Sequence, residues 1–196
     1  MTRRKLSVAQ LQEALESLGA LLEDAGHPHE LVLIGGGALL LLGLIDRPTE
    51  DLDAVARVED GTWEGARPFP PVLQGAIEDV AAALGIPPTW LNSGPTMVLK
   101  VGLPTGFAER VETRQYGALT LRLASRVDQI ALKLDAAADK WPDKGKHLKD
   151  LQLLSPTPDE LLAARGWCAG HRSSQSLPRV HEVMTFLLMG GNDAWV

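Results

Sequence analysis

Two aspartates separated by one leucine, Asp51 and Asp53 in the segment DLDAVARV, have the type and spacing to do chemistry. In an extended segment residues i and i+2 share a face, which sets the two carboxylates about 6–7 Å apart along the strand. Left unpaired they repel, and each loses hydration wherever it is partly buried. A divalent cation removes both penalties, and hard oxygen donors at this reach suit Mg2+. The bland alternative is a strand edge with two solvated acids. Upstream, Gly35, Gly36 and Gly37 follow the apolar run LVLI and precede ALLLL. Glycines between a strand and a helix let the backbone approach a ligand, and the helix start offers N–H groups and a positive dipole end that suit a phosphate. GGGALLLL is not a Rossmann fingerprint, whose third glycine would fall at Leu40, nor a P-loop, since the Lys-Ser/Thr pair is missing. A purely structural turn is the alternative here.

These residues need elements to hold them. The spacing of Val8, Leu11, Leu15, Leu18 and Leu22 predicts a helix over 7–25, opened by a capping box at Ser7 and Gln10 and stopped by Gly26 and Pro28. LVLI reads as a buried central strand, ALLLLGL as a short buried helix, DRPTE as a polar connection and DLDAVARV as a second strand. GTWEGARPFPP reads as a loop, VLQGAIEDVAAALG as a helix, and TMVLKVGL, ERVETRQY and ALTLRLA as strands. From Ser125 onward the pattern is helical through SRVDQIALKLDAAADKW, KGKHLKDLQLL, TPDELLAARGWCAG and LPRVHEVMTFLLM. The expected architecture is α+β, close to α/β: a small mixed sheet with flanking helices over residues 1–124, and a helical C-terminal part over 125–196.

Apolar residues make up 45% and charged residues 22% of the 196, an ordinary globular composition long enough for one substantial domain. The net charge of −6 gives no global basic signature of a nucleic-acid binder, although a local basic cleft fits inside an acidic total. Cys168 is the single cysteine, which excludes an intrachain disulfide and fits a reducing compartment. MTRRKLSVAQ has no apolar core behind its basic residues, and the run Leu31–Ile45 is too short and glycine-broken to span a bilayer. A cytoplasmic chain that does not enter a membrane is expected. His27 and His29 flank Pro28 without a further nearby ligand, and Cys168 reads as packing rather than as a nucleophile. Lys140, Lys144, Lys146, His147 and Lys149 with Trp141 form one dense basic stretch, a solvated loop or the track of an RNA backbone. The stripe Val180, Val183, Met184, Leu187 and Leu188 packs on the domain or on a second copy, so a homodimer is open.

Strand, glycine turn, short helix, polar link and D-h-D on a second strand, in that order, resemble the polymerase-β-like nucleotidyltransferase superfamily. From the Gly36–Gly37 pair the spacer to Asp51 is 13 residues, and from Gly35–Gly36 it is 14. The stretch GGGALLLLGLIDRPTEDLD, with Arg47, Thr49, Asp51 and Asp53, is most similar to bacterial nucleotidyltransferase-like proteins of the AbiEii toxin type and their uncharacterised relatives. ALKLDAA with Lys133, KHLKDLQLL with Lys149 and Asp150, and TWLNS at 89–93 also look like segments of those relatives. The resemblance spans roughly residues 8–165.

It implies a metal-dependent transfer of NMP from an NTP to a tRNA end or a protein hydroxyl, with release of pyrophosphate. Asp51 and Asp53 would hold Mg2+ or Mn2+, and the N–H groups of Gly35, Gly36 and Gly37 would cradle a phosphate. Lys133 would lie on the phosphates, Asp150 would orient Lys133 or a hydroxyl, and Arg47 and Thr49 would position the turn or the nucleotide. A toxin-like member would have a cognate antitoxin. The superfamily often adds a third carboxylate on a later strand; Glu112 is the first choice for it and Glu109 the second. Leu153 stands where the relatives often carry a second late aspartate. Two other functions follow the same residues: a degenerate member that binds nucleotide or a partner without turnover, and a small-molecule nucleotidyltransferase of the antibiotic-modifying kind.

Overall fold

The structure, a computed structural model, describes residues 4–190. Helix α1 (Val8–Asp24) opens on a capping box, with Gln10 N–H donating to Ser7 Oγ at 3.3 Å and Ser7 N–H to Gln10 Oε1 at 3.0 Å. Its leucines at 11, 15, 18 and 22 are fully buried, each contributing about 1.5–3 kcal/mol relative to exposure. The chain continues through β1 (His29–Ile34), α2 (Gly35–Leu41), β2 (Leu52–Glu59), β3 (Thr62–Gly65), α3 (Pro71–Leu84) and β4 (Leu91–Asn92). A 3-10 turn over Gly94–Met97 runs into α4 (Val98–Val101), followed by α5 (Phe107–Arg110), β5 (Glu112–Tyr116) and β6 (Leu119–Leu123). Four helices complete the described chain: α6 (Arg126–Lys140), α7 (Lys146–Leu154), α8 (Pro158–Ala169) and α9 (Leu177–Leu188).

The six strands form one mixed sheet in the order β3-β2-β1-β6-β5, with β4 beside β2. β1 pairs antiparallel with β2 and parallel with β6, so it is central, and Leu31, Val32 and Leu33 are fully buried as a continuous apolar run requires. α1 packs against β5, β6, α2 and α3. The fold is α+β: a mixed sheet flanked by helices. Contacts divide it into two compact units; the first runs to Leu103 and resumes at Ala108–Ala124, the second takes Pro104–Phe107 and begins again at Ser125.

The second unit is helical. Ile130, Leu134, Leu148, Leu151, Leu161, Val180 and Val183 are buried in it. Arg126 donates to Glu160 at 2.9 Å and to the Leu154 carbonyl at 2.7 Å, tying α6 to both ends of the α7–α8 connection. Arg172 reaches back to Asp135 Oδ1 at 2.5 Å and Asp139 Oδ1 at 2.8 Å, fixing the chain after α8 to α6. No helix among the described residues is long and apolar enough to cross a membrane.

Three segments differ from the sequence pattern. GTWEG is strand β3 rather than loop, because Asp60 and Gly61, at φ +48° and +77°, make a two-residue turn that returns the chain along β2. TMVLKVGL is a 3-10 turn and one helical turn rather than a strand. Pro95 presets a helical φ there, and the edge of β2 that a strand would need is already taken by β3 over Ala56–Glu59 and by β4 over Leu52–Asp53. ERVETRQY becomes a strand only from Glu112, with Glu109 in α5.

Candidate functional site

At the end of β1, Ile34 lies opposite Asp53 of β2. The next residue, Gly35, begins α2 at φ +86°, a conformation that L side chains rarely adopt. Each of the three glycines then meets a different part of the segment leading into β2. A β-carbon on Gly35 would stand 2.6 Å from Asp53 Oδ2. One on Gly36 would stand 3.1 Å from the Arg47 guanidinium and 3.5 Å from Thr49 Oγ1. One on Gly37 would stand 2.5 Å from the Asp51 carbonyl oxygen and 2.5 Å from a Leu52 methyl. The glycines let residues 47–53 lie directly on the first turn of α2.

That segment is itself held. Thr49 and Leu6 exchange backbone hydrogen bonds at 2.6 and 3.1 Å, and the buried Thr49 hydroxyl donates to the Asp51 carbonyl at 3.1 Å. Asp51 immediately precedes β2 and Asp53 is its second residue. Leu52 between them is fully buried, while both aspartates are partly exposed, as the two-residue period predicts. Gly35–Gly37, Arg47, Thr49, Asp51 and Asp53 therefore come together in the first unit.

Asn92 joins them, and the sequence reading did not single it out. Its amide Nδ2 donates to Asp53 Oδ1 and to the Leu52 carbonyl, both at 3.2 Å, and its Oδ1 accepts the Gly94 N–H at 2.8 Å. TWLNS contained the signal, a tryptophan and leucine ahead of an Asn-Ser-Gly turn. A two-residue strand is too short for periodicity to reveal.

Glu112 is not brought to the aspartates. It lies on β5, in register with Leu123 of β6, Leu33 of β1 and Ala54 of β2. Three strand spacings separate it from β2, about 14 Å, too far for one cation to touch both at ligand distances. Its carboxylate is instead bound by Arg114 at 2.7 Å. Glu109 is exposed on α5. Among the described residues no group of three or more His, Cys, Asp or Glu side chains is placed to hold a metal.

Lys133 and Asp150 belong to the second unit. Lys133, on α6, and Asp150, on α7, are both buried and form an ion pair at 2.7 Å. His147, one helical turn before Asp150, has a buried Nδ1 without a hydrogen-bond partner. Burial first, then the positive charges of Lys133 and Lys146, pushes its pKa down to about 4. Cys168 is fully buried, and burial with the nearby Asp135 carboxylate pushes its thiol up to about 12, the opposite of an activated nucleophile. Burial first, then His27, lowers the pKa of His29, which belongs to no group of three or more metal-binding side chains among the described residues. Trp141, Lys144, His181, Thr185 and Phe186 line a groove of about 450 Å³, with Lys144 Nζ 4.8 Å from the centre of the Phe186 ring.

Two carboxylates suit a divalent cation that keeps part of its water shell. They cannot make an all-protein cage, but Mg2+ in nucleotide sites keeps several waters and takes its other ligands from phosphates. Comparison of this chain with family models, curated proteins and solved structures finds no match.

Proposed function

We propose that the first unit is a metal-dependent nucleotidyltransferase centre, which binds an NTP at the glycine turn and passes NMP to an acceptor hydroxyl. One observation carries this reading: each of the three glycines is packed against a different residue group of the 47–53 segment, which sets the Asp53 carboxylate and the Asp51 backbone directly against the turn. A structural turn needs one glycine for a positive φ, whereas this site leaves no room for a side chain at Gly35 or at Gly37 and brings Asp53 to the first of them. Asp51 and Asp53 would hold Mg2+ or Mn2+. A bound cation would supply charge neutralisation of the phosphates in a displacement at the α-phosphorus, with pyrophosphate leaving.

The chain's own residues do the rest. Gly36 and Gly37 let the 47–53 segment close on the turn, and the partly exposed Gly35 is where a phosphate oxygen would approach the backbone. Thr49, through the Asp51 carbonyl, and Leu6, through Thr49, hold the carboxylate segment in place. Arg47, against Gly36, supplies a planar cation suited to phosphate oxygens. By the sequence resemblance, the acceptor is a tRNA end or a protein hydroxyl. The reading needs only the first unit.

Calorimetric titration of each NTP with Mg2+ tests it, on the full chain and on Asp51→Asn with Asp53→Asn. Saturable binding in the wild type that vanishes in the double variant supports the site; no binding of any NTP to the wild type overturns it. Among the described residues no third metal-binding side chain joins the aspartates, which favours a second reading, nucleotide binding without turnover. Metal-dependent NTP binding with no pyrophosphate release in the presence of total RNA or protein acceptors would select it.

A further inference from the structure

We propose that Asn92 is a positioning residue of this centre: its amide fixes Asp53 Oδ1, leaving Oδ2, the oxygen turned toward Gly35, to meet the divalent cation. This inference rests on the nucleotide–metal reading of the site and assigns one residue a role within it.

The orientation of the amide follows from its partners. The Gly94 N–H can only donate, so the Asn92 group 2.8 Å away must be the acceptor Oδ1. Nδ2 then faces Leu52 O and Asp53 Oδ1, both acceptors, at 3.2 Å. The other carboxylate oxygen is bounded by Gly35, where a β-carbon would come within 2.6 Å. The Asp53 carboxylate thus meets a donor on one side, and on the other it faces a glycine whose missing side chain leaves room at Oδ2.

The holder is itself anchored. β4 meets β2 over only two residues, Leu91 beside Leu52 and Asn92 beside Asp53. Immediately before it, the Trp90 carbonyl accepts the Leu52 N–H at 2.7 Å. Trp90 is fully buried, and its indole N–H donates to the Ile77 carbonyl of α3 at 3.2 Å. A buried ring therefore sets the position of a strand too short to hold itself. A carboxylate at 92 would have no proton to offer Asp53 and would repel it; a neutral amide supplies the hydrogen bond without competing for the cation. Partners of this kind behind metal-binding carboxylates tune metal affinity by about 10–100-fold.

The test uses the full chain, the NTPs, and Mn2+ as the probe, with bound metal counted by electron paramagnetic resonance. Asn92→Ala removes the donor. Asn92→Ser keeps an acceptor for the Gly94 N–H, which protects the local turn, while its hydroxyl, one bond shorter than the amide, draws back from Asp53 Oδ1. Mn2+ affinity in the NTP complex is expected to fall about 10–100-fold in both variants, with metal-free NTP binding and the unfolding midpoint of Asn92→Ser unchanged. Unchanged Mn2+ affinity overturns the inference while leaving the nucleotide site standing. So does a parallel loss of metal-free binding and folding in both variants, which marks a merely structural residue. If the wild type binds no NTP, the functional reading fails and this inference fails with it.

Discussion

Gly35 and Asp53 face each other so closely that carboxylate Oδ2 lies 2.6 Å from the point where a β-carbon on Gly35 would stand. The neighbouring glycines are constrained differently, which yields an order of effects. Gly37→Ala drives its methyl into the Asp51 carbonyl and the Leu52 side chain, each 2.5 Å away, with the Leu52 α-carbon behind them at 3.3 Å. Backbone cannot step aside as a side chain does, so this variant loses about 1–3 kcal/mol of folding stability. Gly36→Ala meets the far end of the Arg47 side chain at 3.1 Å and the Thr49 hydroxyl at an ordinary 3.5 Å. Better helix propensity offsets that contact, and stability stays within about 1 kcal/mol. Gly35→Ala, at φ +86°, adds about 1–2 kcal/mol of backbone strain and displaces the Asp53 carboxylate. Urea unfolding of the three variants checks the order; equal midpoints would mean the close approach is relieved by a small shift of β2.

Lys133 and Asp150 pose a separate problem, because burial makes each dependent on the other. Lys133→Met removes the ammonium 2.7 Å from the fully buried Asp150 carboxylate. Breaking such a pair from one side costs about 3–5 kcal/mol. Replacing both partners with apolar groups of similar volume, Lys133→Met with Asp150→Leu, is expected to recover most of that loss. Denaturant titration of the single and double variants measures the coupling. Additive losses would show that each residue is held chiefly by other neighbours.

How far the sequence could be read depended on the length and periodicity of each segment. α1 announced both its cap and its buried stripe, because Ser7, Gln10 and the leucine spacing are local facts. The glycine turn and the aspartates were legible as residue types, and their apposition required only that β1 and β2 be neighbours. β3 was missed although Asp60–Gly61 is a strong two-residue turn signal, since the Gly and Pro that follow drew the whole segment toward a loop. Glu112 was a reasonable acid on a later strand, but strand order rather than strand identity sets its distance, and β6 intervenes between β5 and β1. Asn92 could not be found by pattern at all: its role arises from two residues of strand pairing that depend on Trp90 being buried. Lys133 and Asp150 were named for chemistry, and their mutual burial is a property of helix packing that no spacing encodes.

His147 carries a pH dependence whose sign can be worked out. Burial is the largest cause of its lowered pKa; Lys133, Lys146 and Lys140 push the same way, and Asp150 opposes them. The native ring stays neutral down to about pH 4, whereas in the unfolded chain it binds a proton near 6.5. Between those values the unfolded state holds more protons, so stability falls as pH drops through 6.5 and levels off for this group below about 4. One proton limits the slope to about 1.4 kcal/mol per pH unit, and partial exposure of the ring reduces it further. Nδ1 has no partner to lose, so His147→Gln breaks no hydrogen bond on that side. The variant should match the wild type near pH 5 or exceed it, and should show a flatter profile between pH 4 and 6.5. Urea unfolding at half-unit pH steps measures both curves. Parallel curves across that window would mean the native ring takes up its proton at its ordinary value, and that the Lys133–Asp150 pair presents no net positive field to it.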